Sequence, residues 1–197
     1  MSEIAFSPEI TIDPSTALVL IDLQQGILGA PTVTPGPQIL ARGVQLADAF
    51  RAKGLPVVLV RVTFSADGGD LPPQRTLHTS PSGGAWPANF AEFPAELTTG
   101  EHDIVITKRQ WGAFMGTELD LQLRRRGVTQ IVLAGIATSI GVESTARAAW
   151  EHGYNLTFVE DATTDMSAES HLHSFTRIFP RLGEIGSTDA VISALGA

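Results

Sequence analysis

Cysteine is absent from the 197 residues, which removes disulfides, thiolate metal ligands and cysteine nucleophiles together. Positive charge is scarce as well: 13 Lys and Arg stand against 21 Asp and Glu, a formal net charge of −8. No basic stripe offsets that balance, so nucleic acid and anionic membrane surfaces are not expected partners. The densest basic run, Arg124-Arg125-Arg126, closes a predicted helix, where it complements the negative end of the helix dipole. Apolar runs are strand-sized, too short for a membrane span. Residues 1–14 lack a positive segment followed by an apolar one, so no signal peptide is read there and a cytoplasmic location is expected.

What is present is a regular alternation. Short β-branched runs predict strands at 16–22 (TALVLID), 56–62, 102–108, 130–135, 156–161 and 181–185. Between them, apolar residues at helical spacing predict helices over 37–53, 118–126, 139–152, 168–179 and 189–195, the first three stopped by Gly54, Gly127 and Gly153. Strand–helix alternation implies a parallel sheet covered on both faces, with right-handed crossovers. The length fits a single domain, 1–197. One stretch breaks the rhythm: 63–101 is rich in Gly and Pro and has no periodicity, as expected of a site-lining arm or a subunit contact.

In an open parallel sheet, ligands bind outside the carboxyl ends of the strands. The first predicted strand ends in Asp22, the third in Lys108, and the fourth runs through Gly135-Ile136-Ala137-Thr138 into a helix. An acid, a base and a helix N-terminus able to hold an anion thus converge on one edge. Thr138 and Ser139 are read as helix caps, since no histidine is placed in the sequence to activate either hydroxyl. His171 and His173 lie two apart on a predicted helix and so do not share a face for a metal; they are read as one half-buried and one surface residue.

Three strings now carry a resemblance: Ile21-Asp22-Leu23-Gln24; Thr107-Lys108-Arg109-Gln110-Trp111-Gly112-Ala113-Phe114; and Gly135 through Arg147, GIATSIGVESTAR. In order and spacing they resemble the motifs of isochorismatase-like hydrolases. The resemblance implies a Rossmann-like three-layer α/β/α sandwich around a mostly parallel six-stranded sheet, and a homo-oligomer, dimer or tetramer. It implies a catalytic Asp22 and Lys108, a cis bond at Ile136–Ala137, and Gly141 at the position of the family's nucleophilic cysteine. It also puts Gln24, Arg75, Trp86 and Trp111 on the substrate, together with Ile136, Ala137, Thr138 and Ile140 of the third motif. A glutamine expected soon after the second strand is not evident in 63–66, and Gln74 lies further along. Relatives that hold a metal use one Asp and several His in the arm; here the arm offers only His78, which Asp67 and Asp70 do not complement, so neither metal nor cofactor is expected.

Without a cysteine, hydrolysis through a thioester is closed. The chemistry implied is that of a vinyl-ether hydrolase acting on a small anionic metabolite: an acid, a water and no nucleophilic side chain. Two alternatives stand beside it: a catalytically silent binding or assembly module of the same fold, and an amide hydrolase using serine or activated water.

Overall fold

The computed structural model describes residues 3–73, 75–77 and 86–196. Six strands form one sheet: β1 (Thr16–Ile21), β2 (Val57–Val62), β3 (Ile104–Lys108), β4 (Gln130–Ile136), β5 (Asn155–Thr164) and β6 (Glu184–Gly186). Their order is β3-β2-β1-β4-β5-β6 and every pairing is parallel, a doubly wound sheet more uniform than the mostly parallel one expected. The helices are α1 (Gln25–Leu28), α2 (Gly36–Ala52), α3 (Leu119–Arg125), α4 (Glu143–Glu151), α5 (Ala168–His173) and α6 (Thr188–Gly196).

The side-chain period of two divides each strand between two cores. Ala17, Val19 and Ile21 of β1 face Leu119 and Leu123 of α3 and Ala146 and Ala149 of α4. Leu18 and Leu20 face the other way, against Ile39, Leu46 and Phe50 of α2 and Val191 of α6. β1 is buried along its whole length, which is why its sequence is a continuous apolar run rather than an alternation. The predicted stops Gly54 and Gly127 adopt φ +67° and +66°, the left-handed conformation that ends a helix and that a side chain disfavours.

Two predicted helices are less regular than expected. The segment 139–152 begins as a π-type turn, Thr138–Val142, before α4; 168–179 is α5 followed by a π-type turn, Ser174–Ile178, and a 3₁₀ turn from Phe179. Periodicity cannot separate these, because an inserted residue shifts the apolar stripe by only one position. The short α1 was not read at all; four residues are too few for a periodic signal.

The strand order reverses beside β1, which has β2 on one side and β4 on the other. The crevice at the carboxyl ends of β1 and β4 is therefore the topological switch point, where such sheets bind ligands.

Candidate active site

Asp22 follows β1 directly and adopts φ +54°; among the described residues it is the one non-glycine with positive φ. Its backbone N–H donates to Val60 O at 2.9 Å, which keeps the residue on the sheet while its chain direction breaks. A left-handed carboxylate residue at a strand end is uncommon and tends to persist where geometry matters. Lys108 ends β3, two strands away. Strands are spaced about 4.8 Å apart, so only a long side chain spans β2 to reach Asp22, and Lys108 Nζ donates to Asp22 Oδ2 at 2.7 Å. Both side chains are buried, 3% and 8% exposed. The other carboxylate oxygen, Oδ1, is buried without a hydrogen-bond partner.

That combination sets the protonation. Burial pushes the Asp22 carboxyl up from 3.8 to about 6, against the opposing pull of the Lys108 charge and its hydrogen bond. Desolvation is the larger of the two influences.

Gly141 lies in the turn beside this pair. A Cβ built on it would stand 3.5 Å from Asp22 Oδ2 and 3.5 Å from the Trp111 carbonyl oxygen, but 2.9 Å from Ile21 Cγ2. Ile21 is fully buried and Cγ2 is fixed to its Cβ, so it yields only at a cost. Position 141 is thus packed for glycine and is more than a cysteine site with the sulfur removed. Gly135 shows the same closeness: at φ +126°, its Cβ would fall 2.1 Å from Ile21 O. Small residues let the ends of β1 and β4 approach each other at the switch point.

The peptide Ile136–Ala137 is cis. Ile136, Ala137 and Thr138 are buried, and Ile140 is half-buried against the α2 side of the core. The two hydroxyls expected to cap the following helix do not do so. Thr138 Oγ1 lies 2.8 Å from His171 Nδ1, and Ser139 Oγ donates to Asp165 Oδ2 at 2.8 Å. Asp165 also accepts the Ser139 N–H at 2.7 Å. A histidine is therefore placed on one of these hydroxyls after all, 33 residues away in sequence, a distance no local pattern reports.

Gln24 is expected on the substrate but has another task. It is fully buried; its Nε2 donates to Val62 O at 2.9 Å and Phe90 O at 2.8 Å, and its Oε1 accepts the Val62 N–H at 2.7 Å. Both amide hydrogens are used within the protein, so Gln24 clamps the arm to the ends of β1 and β2. Gln25 N–H to Glu92 O and Gly26 N–H to Phe90 O extend that clamp. Gln24→Leu strands these backbone groups, and we expect a loss of about 2–4 kcal/mol in stability, read by urea denaturation.

The remaining predicted site residues divide. Trp86 is half-buried, its ring 5.8 Å from Phe64 and 4.5 Å from Phe90, and so anchors the arm near this edge. Trp111 borders Gly141 through its main chain while its indole is exposed. Arg75 is exposed. Gln74 and His78 lie outside the described residues. Asp70 bonds Arg109 Nε at 2.6 Å, and Asp67 and Asp70 share the Ser65 hydroxyl. Arg109 also donates to the Lys108 carbonyl oxygen at 3.3 Å.

Fold and site together define a doubly wound α/β protein with a buried acid–ammonium pair at its switch point. Residues 16–190 match the family model of the isochorismatase domain. The chain is 50% identical over 184 residues to the uncharacterized isochorismatase family protein YecD of Escherichia coli O157:H7, covering 92% of this chain and 96% of that one. It is 32% identical to the ureidoacrylate amidohydrolase RutB of Methylobacterium radiotolerans over 95% of this chain and 82% of that one. Among solved structures, an isochorismatase family protein from Burkholderia thailandensis superposes with TM-score 0.90 at 45% identity, covering 95% and 98% of the two chains. The chain belongs to the isochorismatase family and is a hydrolase of that kind. No helix among the described residues is long and apolar enough to cross a membrane.

Proposed function

We propose that the protein hydrolyses a small anionic metabolite carrying an enol ether or a similarly acid-labile bond, with Asp22 as general acid and no covalent intermediate. The observation that carries this is the Asp22 carboxyl: buried, raised to about 6, with Oδ1 unpartnered, and next to a glycine where a nucleophile would otherwise stand. In the reaction Asp22 gives its proton to the terminal carbon of the enol ether as the C=C electrons form the new C–H bond. The ether oxygen's lone pair stabilises the resulting oxocarbenium ion. Water adds to that cation and returns a proton to the Asp22 carboxylate, and the hemiketal collapses to an alcohol and a ketone. Lys108 holds the carboxyl in place and offsets its charge once the proton has left.

A second reading is amide hydrolysis by water that an ionised Asp22 activates, which the similarity to RutB favours. Serine is not invoked in it: the Ser139 hydroxyl donates to Asp165, and no histidine is placed on it. A silent binding module is less well supported: an ion pair with one unpartnered oxygen is costly to keep where nothing reacts.

The test is turnover of isochorismate in D2O, with a ureido acid amide in parallel. The enol-ether reading expects a product whose new methyl group carries one deuterium, delivered from the exchanged Asp22. Ammonia release from the amide, with isochorismate untouched, would overturn it in favour of the second reading.

A further inference from the structure

A second buried polar group stands behind the turn that carries Gly141. Thr138, which opens that turn, is fully buried and its Oγ1 meets His171 Nδ1 at 2.8 Å. The far ring nitrogen, Nε2, lies 3.3 Å from Glu160 Oε1 on β5. The ring itself is 14% exposed and packs on Phe175 at 4.8 Å between centroids.

The chemistry of the partners fixes the hydrogens. An ionised Glu160 can only accept, so the hydrogen of a neutral ring sits on Nε2 and its Nδ1 lone pair accepts from the Thr138 hydroxyl. Adding a second proton to the ring reverses that last bond: Nδ1–H then donates, and the Thr138 hydroxyl must find another acceptor inside the protein. The other acidic groups of the region are engaged elsewhere. Asp165 holds Ser139 and the Ser167 N–H, and Glu143 of α4 takes the Ser174 hydroxyl and Arg147. Glu160 is thus the carboxylate facing the ring, and Thr138 is the link from the ring to the turn.

We infer that His171 is a positioning residue: through Thr138 it holds the turn Thr138–Val142, and with it Gly141, against Asp22, and proton uptake by its ring changes that turn. The inference rests on reading the Gly141 turn as part of the site, but its test does not use turnover. Wild type and variants would be followed by NMR as pH falls, recording the Gly141 amide and the assigned His171 ring together, all in an Asp22→Asn background so that the neighbouring carboxyl adds no step. The expected result is a Gly141 step whose midpoint coincides with that of the His171 ring. His171→Gln and the near-isosteric Thr138→Val should both lose the step, while Thr138→Ser and His173→Gln should keep it. A Gly141 amide that ignores the ring's midpoint, or a step that survives Thr138→Val, overturns the proposal. Either result leaves the role of Asp22 untouched.

Discussion

Asp22→Asn is expected to lower kcat/KM on an enol-ether substrate by about three orders of magnitude, the middle of the range for a single proton donor. Asparagine keeps the shape and can still accept from Lys108, but it has no acidic proton to give. The reacting carbon must then be protonated by water, a far weaker acid. The fold should survive, since β1 is held by its pairing with β2 and β4 and by both cores. Some stability is nevertheless lost, because the buried Lys108 ammonium no longer faces a full negative charge. Steady-state kinetics beside circular dichroism separate the two effects; activity within tenfold of wild type, on a folded variant, would remove Asp22 from the chemistry.

Lys108→Met carries the second large effect, and here it falls on stability. Methionine replaces the stem but removes the charge, leaving the Asp22 carboxyl buried with neither oxygen bonded. Breaking a buried pair in this way costs about 3–5 kcal/mol at neutral pH. The sign of its pH dependence follows from the direction of the shift. Asp22 already titrates at about 6 against an ordinary 3.8, so the folded state binds the proton more tightly than the unfolded one. This group's contribution is therefore fullest below about 4 and is lost as pH rises toward 6. Without Lys108, whose charge lowers the value, the window extends to higher pH. Urea midpoints at pH 5 and pH 8 should differ more in Lys108→Met than in wild type. Equal differences would mean that the ammonium does not govern the carboxyl.

How far the sequence foretells this arrangement depends on the range of each interaction. Asp22 and Lys108 are legible because each ends an apolar strand, and strand ends of a parallel sheet share an edge. Gly54 and Gly127 are legible because a helix stop is a local matter of one backbone conformation. The structural role of Gln24 is not legible, because a motif shows that an amide is present but not that its hydrogens go to Val62 and Phe90, 38 and 66 residues away. The caps assigned to Thr138 and Ser139 fail for the same reason: the true partners, His171 and Asp165, arrive from α5 and from just past the end of β5. Arg75 was placed by resemblance alone in an irregular arm, where no periodicity holds the register, and it lies exposed. The packing of Ile21 against position 141 has no trace in sequence, since it depends on how closely β1 and β4 approach.

The central claim is that Asp22 acts as an acid. The most direct measurement is the pH dependence of kcat/KM for isochorismate hydrolysis, between pH 4.5 and 8.5. A proton donor titrating at about 6 predicts a plateau on the acid side and a tenfold fall per pH unit above it. A profile that instead climbs through this region to an alkaline plateau would require the carboxylate as the working form, and would contradict the account.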